Sequence, residues 1–534
     1  MTRFTAPSGR AWLSSVLALA LAVTIAPSSL GRTAIVRAAV GPLGARIAIL
    51  SGTGTETNTV LAVFKALGDM GYSPQAIVKG DITNGKLTAT NFDALLIPPG
   101  EEQNDLQYSS YLSLTDKKAI KSFTQAGGGL IGVAEGAKFI NRIGIDTGTV
   151  HARSLDASPG MQNIVVGDAT FGPPGTVYSV YVKDGARSFG GTHPMGTVVV
   201  STFQTSSSNA NQAVIRFPYG TGRVVMIAPD LELDVTSKRD WTAWDNLDTS
   251  GIDPQLDWPF LGSLVSWAVS GTASTPTINT APQSGPVACI YTTRTSAEGA
   301  WAGVLPALAR MLANNGYTPE AVRDVEVKNG FLTLANCPIF IMPGGYAYGY
   351  KVQLAGHEQK VRDYVSGGGR YVGISAGSFY AMSTVVWQGT TYAYPLNLFT
   401  GTETGPIDDI APWPTWALTP LAMTDSALGT PTTLTAMFYG EGYYTQPAAP
   451  APQADVSATF AYSGTAAGQP AILKFRYGLG KVFLPNLHLE LMEGSLQDWT
   501  YWDNFDPSGN PISNPTPNAD WSFYQTAFSW LMAP

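Results

Sequence analysis

One pattern is written twice along this chain. The block GYSPQAIVKGDITNGKLTATNFDALLIPPG, starting at Gly71, returns from Gly316 as GYTPEAVRDVEVKNGFLTLANCPIFIMPGG. FPYGTGRVVMIAPDLE from Phe217 returns from Phe475 as FRYGLGKVFLPNLHLE, and DWTAWDNLDTSG from Asp240 returns from Asp498 as DWTYWDNFDPSG. A repeat of this length makes each copy a folding unit, so a fold assigned to one half must also suit the other. The length of 534 residues independently exceeds what one hydrophobic core serves. The copies span 45–271 and 286–534. The uncharged Thr-, Ser- and Pro-rich stretch 272–285 between them reads as a linker.

Within each copy, short apolar runs alternate with helical patterns. Arg46–Ser51 and Val287–Thr292 read as opening strands, Val60–Met70 and Val304–Asn314 as helices, and Ala94–Pro98 and Ile339–Pro343 as buried strands. This alternation calls for an α/β fold, a mainly parallel flavodoxin-like sheet with helices on both faces. Sites on such sheets lie beyond the carboxyl ends of the strands.

Arg3 and Arg10 precede the apolar run Val16–Ile25, which is followed by Ala26, Pro27, Ser28 and Ser29. That layout is the one of a secretory signal within residues 1–39, too short to span a bilayer. It predicts an exported protein with no stable membrane insertion after cleavage. A net charge of −8 argues against nucleic-acid partners. The two cysteines, Cys289 and Cys337, either form one disulfide in an oxidising compartment or stay as buried thiols. They have no metal-ligand spacing, and neither a metal nor a cofactor is expected.

Candidate chemistry centres on GRYVGISAGSFYA (369–381). A serine with glycine two places to either side, between an apolar run and a helical stretch, fits a nucleophile elbow. Of four histidines, His488 ends an apolar strand and has Glu490 two residues on, so a carboxylate can orient the imidazole and stabilise its charge. His357 reads as part of a solvated helix face. Acyl transfer also needs backbone N–H donors; Ala376 is one candidate, and Gly344 or Gly345 in IMPGGYAYG is the other.

A half built as strand, PGG turn, GGG-x-x-x-G-x-S-A-G elbow and late H-x-E resembles the class I glutamine amidotransferase-like superfamily, and within it the biotin–protein ligase N-terminal domain. The glycine-rich FYGEGYY (438–444) is similar to that family's turn before the last core strands. The resemblance covers most of 286–534 and, more faintly, 45–271. It implies two tandem amidotransferase-like domains, with Ser375 at the nucleophile position, His488 as base, Glu490 as third member, and Gly345 with Ala376 as oxyanion hole. The family's nucleophile is typically cysteine. Serine in G-x-S-A-G is similar to the dipeptidase E and cyanophycinase branch.

In the first half, Ala134 stands where Ser375 stands in the second, Asp230 for His488, and Gly100 or Glu101 for Gly345; only Glu232 keeps the identity of its counterpart, Glu490. That half is expected to serve packing, pairing with its sister, or ligand binding. The D-W-T-x-W-D-N block occurs in both halves and therefore reads as structural. The aromatics Tyr392, Tyr394, Trp413, Trp416, Tyr439, Tyr443 and Tyr444, set among prolines, read as packing that holds a long insertion down, in preference to a surface near a site that binds sugars or peptide side chains.

Three readings follow. The first is an exported hydrolase cutting an amide, peptide or ester bond of a small-molecule or peptide ligand with a Ser375–His488–Glu490 triad. The second is a non-catalytic binding or scaffold protein of the same fold. The third is an unrelated α/β-hydrolase, disfavoured because the acid follows the histidine. The hydrolase reading predicts that Ser375 Oγ and His488 lie within hydrogen-bond reach.

Overall fold

The computed structural model describes residues 44–100, 106–152, 160–183, 187–204, 211–235, 239–246, 256–279, 283–429, 432–514 and 519–534. The signal-like segment and Glu101 lie outside the described residues. Two large sheets form the frame. The first contains the parallel strands β1 (Arg46–Leu50), β2 (Ser73–Ile77), β3 (Ala94–Ile97), β4 (Gly129–Val133) and β5 (Gly222–Ile227), in the order β2-β1-β3-β4-β5. The second repeats that order with β6 (Val287–Tyr291), β7 (Thr318–Val322), β8 (Ile339–Met342), β9 (Arg370–Gly373) and β10 (Gly480–Pro485), as β7-β6-β8-β9-β10. This is the flavodoxin-like order, so the chain holds two tandem α/β domains of that kind. Strands such as ALLI, GLIGV and IFIM are buried along their whole length, because helices cover parallel sheets on both faces.

Beyond β5 and β10 each sheet continues in antiparallel strands that strand–helix alternation does not announce. They are Gln212–Tyr219, Val198–Phe203, Gly160–Val166 and Val177–Val182 in the first sheet. In the second they are Pro470–Tyr477, Asp455–Phe460, Ala417–Met423 and Thr433–Phe438. A further four-stranded sheet occupies the second half, ordered Thr390–Ala393, Met382–Trp387, Phe399–Gly405, Tyr443–Thr445. Cys289 on β6 and Cys337 before β8 are joined by a disulfide.

The two halves exchange segments. Helix α1 (Thr57–Asp69) is followed in the chain by α2 (Glu135–Arg142) and α3 (Trp258–Ser270), and it packs on α4 (Leu305–Asn314). Thr57 Oγ1 donates to the Thr293 carbonyl at 2.6 Å and accepts from Thr293 N–H at 2.7 Å. The D-W-T-x-W-D-N loops cross over. Ala76 on edge strand β2 donates to the Trp499 carbonyl at 2.7 Å, and Ala321 on edge strand β7 donates to the Trp241 carbonyl at 2.8 Å. The two indoles meet at 5.8 Å between centroids, with Lys65 over Trp241 and Arg310 over Trp499. The second tryptophan of each block stays at home: Trp244 Nε1 donates to the Asn58 carbonyl and Trp502 Nε1 to the Gly303 carbonyl, both at 2.9 Å.

Trp241 is buried in this clasp. Trp241→Ala should lower unfolding free energy by about 3–5 kcal/mol, as for other buried tryptophans. Denaturant unfolding measures it, and a loss below about 1 kcal/mol would mean that the exchanged loops are dispensable.

Candidate functional site

Crowding at the end of β9 dictates the local sequence. Ser375 has φ 48° and ψ −111°, a strained conformation for a residue with a side chain, between β9 and helix α5 (Ala376–Ala381). Its neighbours must be glycine: a Cβ on Gly377 would stand 2.0 Å from the Met342 carbonyl oxygen, and one on Gly373 2.5 Å from the Gly377 oxygen. The first half keeps the same turn, with Ala134 at φ 48° and ψ −112°, and with Gly136 unable to carry a Cβ for the same reason, at 2.1 Å from the Ile97 oxygen.

The PGG turn after β8 brings Gly345 beside the elbow. Gly345 has φ 149°, and a Cβ there would lie 1.9 Å from the Gly299 oxygen. In the first half Gly100 takes this place: Thr55 bridges Gly100 as Ala300 bridges Gly345. Neither Gly345 N–H nor Ala376 N–H meets an acceptor among the described residues. Both residues line one cavity of about 480 Å³ with Ser375. Ser375 Oγ likewise makes no hydrogen bond among the described residues, so Ser375, Gly345 and Ala376 share one open space.

The walls of that space are aromatic. Tyr346, Tyr348, Trp387, Tyr392, Trp413 and Tyr439 line it. The exposed aromatics among the described residues, Tyr346 (51%), Tyr348 (49%), Tyr392 (41%) and Trp413 (43%), all stand here. Reading this stretch as a packed-down insertion is therefore corrected for Tyr392, Trp413 and Tyr439, which face the cavity, while Tyr394 lines it and is also buried in the core. The physical reason is the four-stranded sheet after α5, which turns its Trp387 and Tyr392 toward the elbow. Tyr444 does pack inward, its hydroxyl donating to the Leu484 carbonyl at 3.1 Å.

His488 lies beneath the PGG turn, where a Cβ on Gly344 would come within 2.3 Å of His488 Cε1. Nδ1 meets Glu490 Oε1 at 2.7 Å, the pairing that the H-x-E spacing predicts. Nε2 points to Glu441 Oε1 at 3.2 Å, and no hydrogen bond joins it to Ser375. Burial alone would push the imidazole toward its neutral form. The charges and hydrogen bonds of Glu490 and Glu441 outweigh that and raise its pKa to about 10. Glu441 is the residue that sequence reasoning missed, although its motif, FYGEGYY, had been singled out. Its Oε2 accepts from Tyr439 N–H. Glu403 lies in the same layer and accepts from Ser378 Oγ at 2.9 Å; burial raises its carboxyl well above the usual range, and Glu441 adds to the rise.

In the first half a lysine meets the buried carboxylates. Lys183 Nζ pairs with Glu56, and Lys183 N–H donates to Asp230 Oδ2 at 3.2 Å. Burial raises Asp230 and Glu232 and lowers Lys183, all toward neutral forms. Among the described residues no cluster of His, Cys, Asp and Glu is arranged to hold a metal ion.

The family described as "Biotin-protein ligase, N terminal" matches residues 288–506. No curated protein matches the chain. Solved structures similar to parts of it include PurLQS from Thermotoga maritima, at 15% identity and a TM-score of 0.31 over 42% of this chain and 98% of that one. A glutamine amidotransferase from Thermotoga maritima aligns at 13% identity and a TM-score of 0.26 over 37% and 80%. A β-galactosidase from Rahnella sp. R3 aligns at 14% identity and a TM-score of 0.29, over 54% of this chain and 36% of its own length.

His488 gains its proton through folding, so its contribution to stability is complete below its ordinary pKa of 6.5 and is lost as pH rises through about 10. Between pH 7 and 10.5 the melting temperature should fall further in the natural protein than in His488→Asn. NMR of the ring nitrogens should show an imidazolium at pH 8; a neutral ring there would contradict the double pairing.

Proposed function

We propose that the second half is a serine hydrolase acting on an amide, peptide or ester bond. The observation that carries this is Ser375, strained, at the wall of a cavity, beside two backbone N–H groups without acceptors among the described residues. Ser375 Oγ attacks the carbonyl carbon and its proton passes to His488 Nε2, while the oxygen that gains charge lies on Gly345 and Ala376 N–H. Collapse breaks the bond to the leaving amine or alcohol, which takes the proton from His488. Water then repeats the sequence on the acyl-enzyme. Glu490 holds Nδ1. Glu441 must release Nε2 first, and so acts as a brake on the base.

A second reading, a ligand-binding protein without catalysis, is favoured by that same pairing. With a pKa of about 10, only roughly a thousandth of the imidazole is neutral at pH 7. For either reading we infer an exported protein, supported by the signal-like start and the Cys289–Cys337 disulfide. We also infer a tandem duplication, supported by the repeated blocks, the shared strand order and the matched elbow dihedrals.

Labelling with a fluorophosphonate separates the readings. The hydrolase reading expects adduct on the natural protein and none on Ser375→Ala, with a rate that climbs toward pH 10. In Glu441→Gln, which removes one charge holding the proton on His488, the climb should move to lower pH. No adduct across several probes and the whole pH range would leave the binding reading standing. Once a substrate is in hand, Glu490→Gln should lower kcat by on the order of 10⁴, and Glu232→Gln should leave it unchanged.

A further inference from the structure

A second cavity, of about 290 Å³, adjoins the first at Tyr439, which lines both. Its walls come from both halves: Lys79 and Tyr111 from the first, Trp301, Trp416 and Trp502 from the second. Aromatic rings run without a break between the two spaces. Trp387 lies 5.5 Å from Trp413, Trp413 5.5 Å from Tyr439, Tyr439 5.3 Å from Trp416, and Trp416 5.6 Å from Trp502.

The charge along this track is uneven. None of the residues lining the cavity at Ser375 is charged. In the second cavity Lys79 is the one charged lining residue. Its ammonium stands 5.4 Å from the Tyr111 ring centre and pairs with no carboxylate among the described residues. A cationic ligand is disfavoured at the other end as well, because Lys351 Nζ already lies over the faces of Tyr394, at 5.3 Å, and Tyr348, at 6.0 Å. An uncharged, tyrosine- and tryptophan-walled space of this size suits an aromatic side chain, held edge to face. A half-buried lysine without a carboxylate partner among the described residues suits an anionic end group.

We propose that the ligand is a short peptide-like chain with an aromatic residue in the cavity at Ser375 and a free carboxylate against Lys79, so that the first half, which lacks the serine, supplies the anion subsite. The aromatic end at Ser375 rests on the hydrolase reading for what is then cut; the carboxylate subsite does not. Its role is positioning, since Lys79 touches the ligand's end and not the bond that would break.

The test uses the full chain carrying Ser375→Ala, so that binding is read without turnover. N-acetyl-Phe-(Gly)n peptides, with n from one to four, are titrated by calorimetry as free acids and as C-terminal amides. At the length that spans both cavities the acid should bind about tenfold more tightly than the amide. Lys79→Met should erase that preference and leave the amide's affinity unchanged, with an unaltered melting curve showing that the fold is intact. Replacing Phe by Gly should abolish binding of every length. The proposal is overturned if no peptide binds, if acid and amide bind alike at all lengths, or if Lys79→Met keeps the preference. Failure to label with fluorophosphonate would remove the hydrolase and leave the acid preference untouched, so the two results fail separately.

Discussion

The turn between β9 and α5 has no room for a side chain at Gly377, whose Cβ would stand 2.0 Å from the Met342 oxygen. That approach of helix to neighbouring strand forces Ser375 into its positive-φ conformation and turns its hydroxyl outward. The same approach points the first N–H of α5 into the cavity beside it. Because the constraint is steric and lies in the backbone, it holds whether the turn carries serine or alanine. The first half keeps Gly132 and Gly136 around an alanine that has the same dihedrals.

Beneath the elbow the two halves solve one electrostatic problem in different ways. Each buries carboxylates at the carboxyl end of its last parallel strand, and buried carboxylates need a counter-charge or a proton. The second half places the His488 ring between Glu490 and Glu441, which raise its pKa to about 10. The first brings in Lys183 from the end of the antiparallel strand Val177–Val182. Tyr439 occupies the comparable position after Thr433–Phe438, and there it lines the cavity.

Much of this frame is legible in the amino-acid sequence, for identifiable reasons. Parallel strands are buried on both faces, so they are written as apolar runs, and β3 and β8 fall where those runs stand. The elbow is legible because only glycine fits around it, and the His488–Glu490 pair because its members are two residues apart on one turn. Helix α1 begins at Thr57, a turn before the apolar run at Val60, because Thr57, Asn58 and Thr59 are already buried, Thr57 against Thr293 of the other half. Glu441 is far from His488 in the chain and meets it only once the sheet closes. The aromatic cavity was read as a packed-down insertion because rings that line a cavity and rings that fill a core have the same composition. Only the strands Met382–Trp387 and Thr390–Ala393 decide which way they face.

The outer strand of an open sheet offers unpaired backbone groups to any passing chain, the usual opening for aggregation. Here strands β2 and β7 are that edge in their respective sheets, and each is closed by a loop belonging to the other half. Neither half can therefore be excised cleanly, since cutting the chain at 272–285 would bare both edges at once. What two identical subunits would achieve by docking, this chain achieves by covalent linkage, with the partner always present at a fixed local concentration. One half thereby carries alanine at its elbow while remaining indispensable to the other.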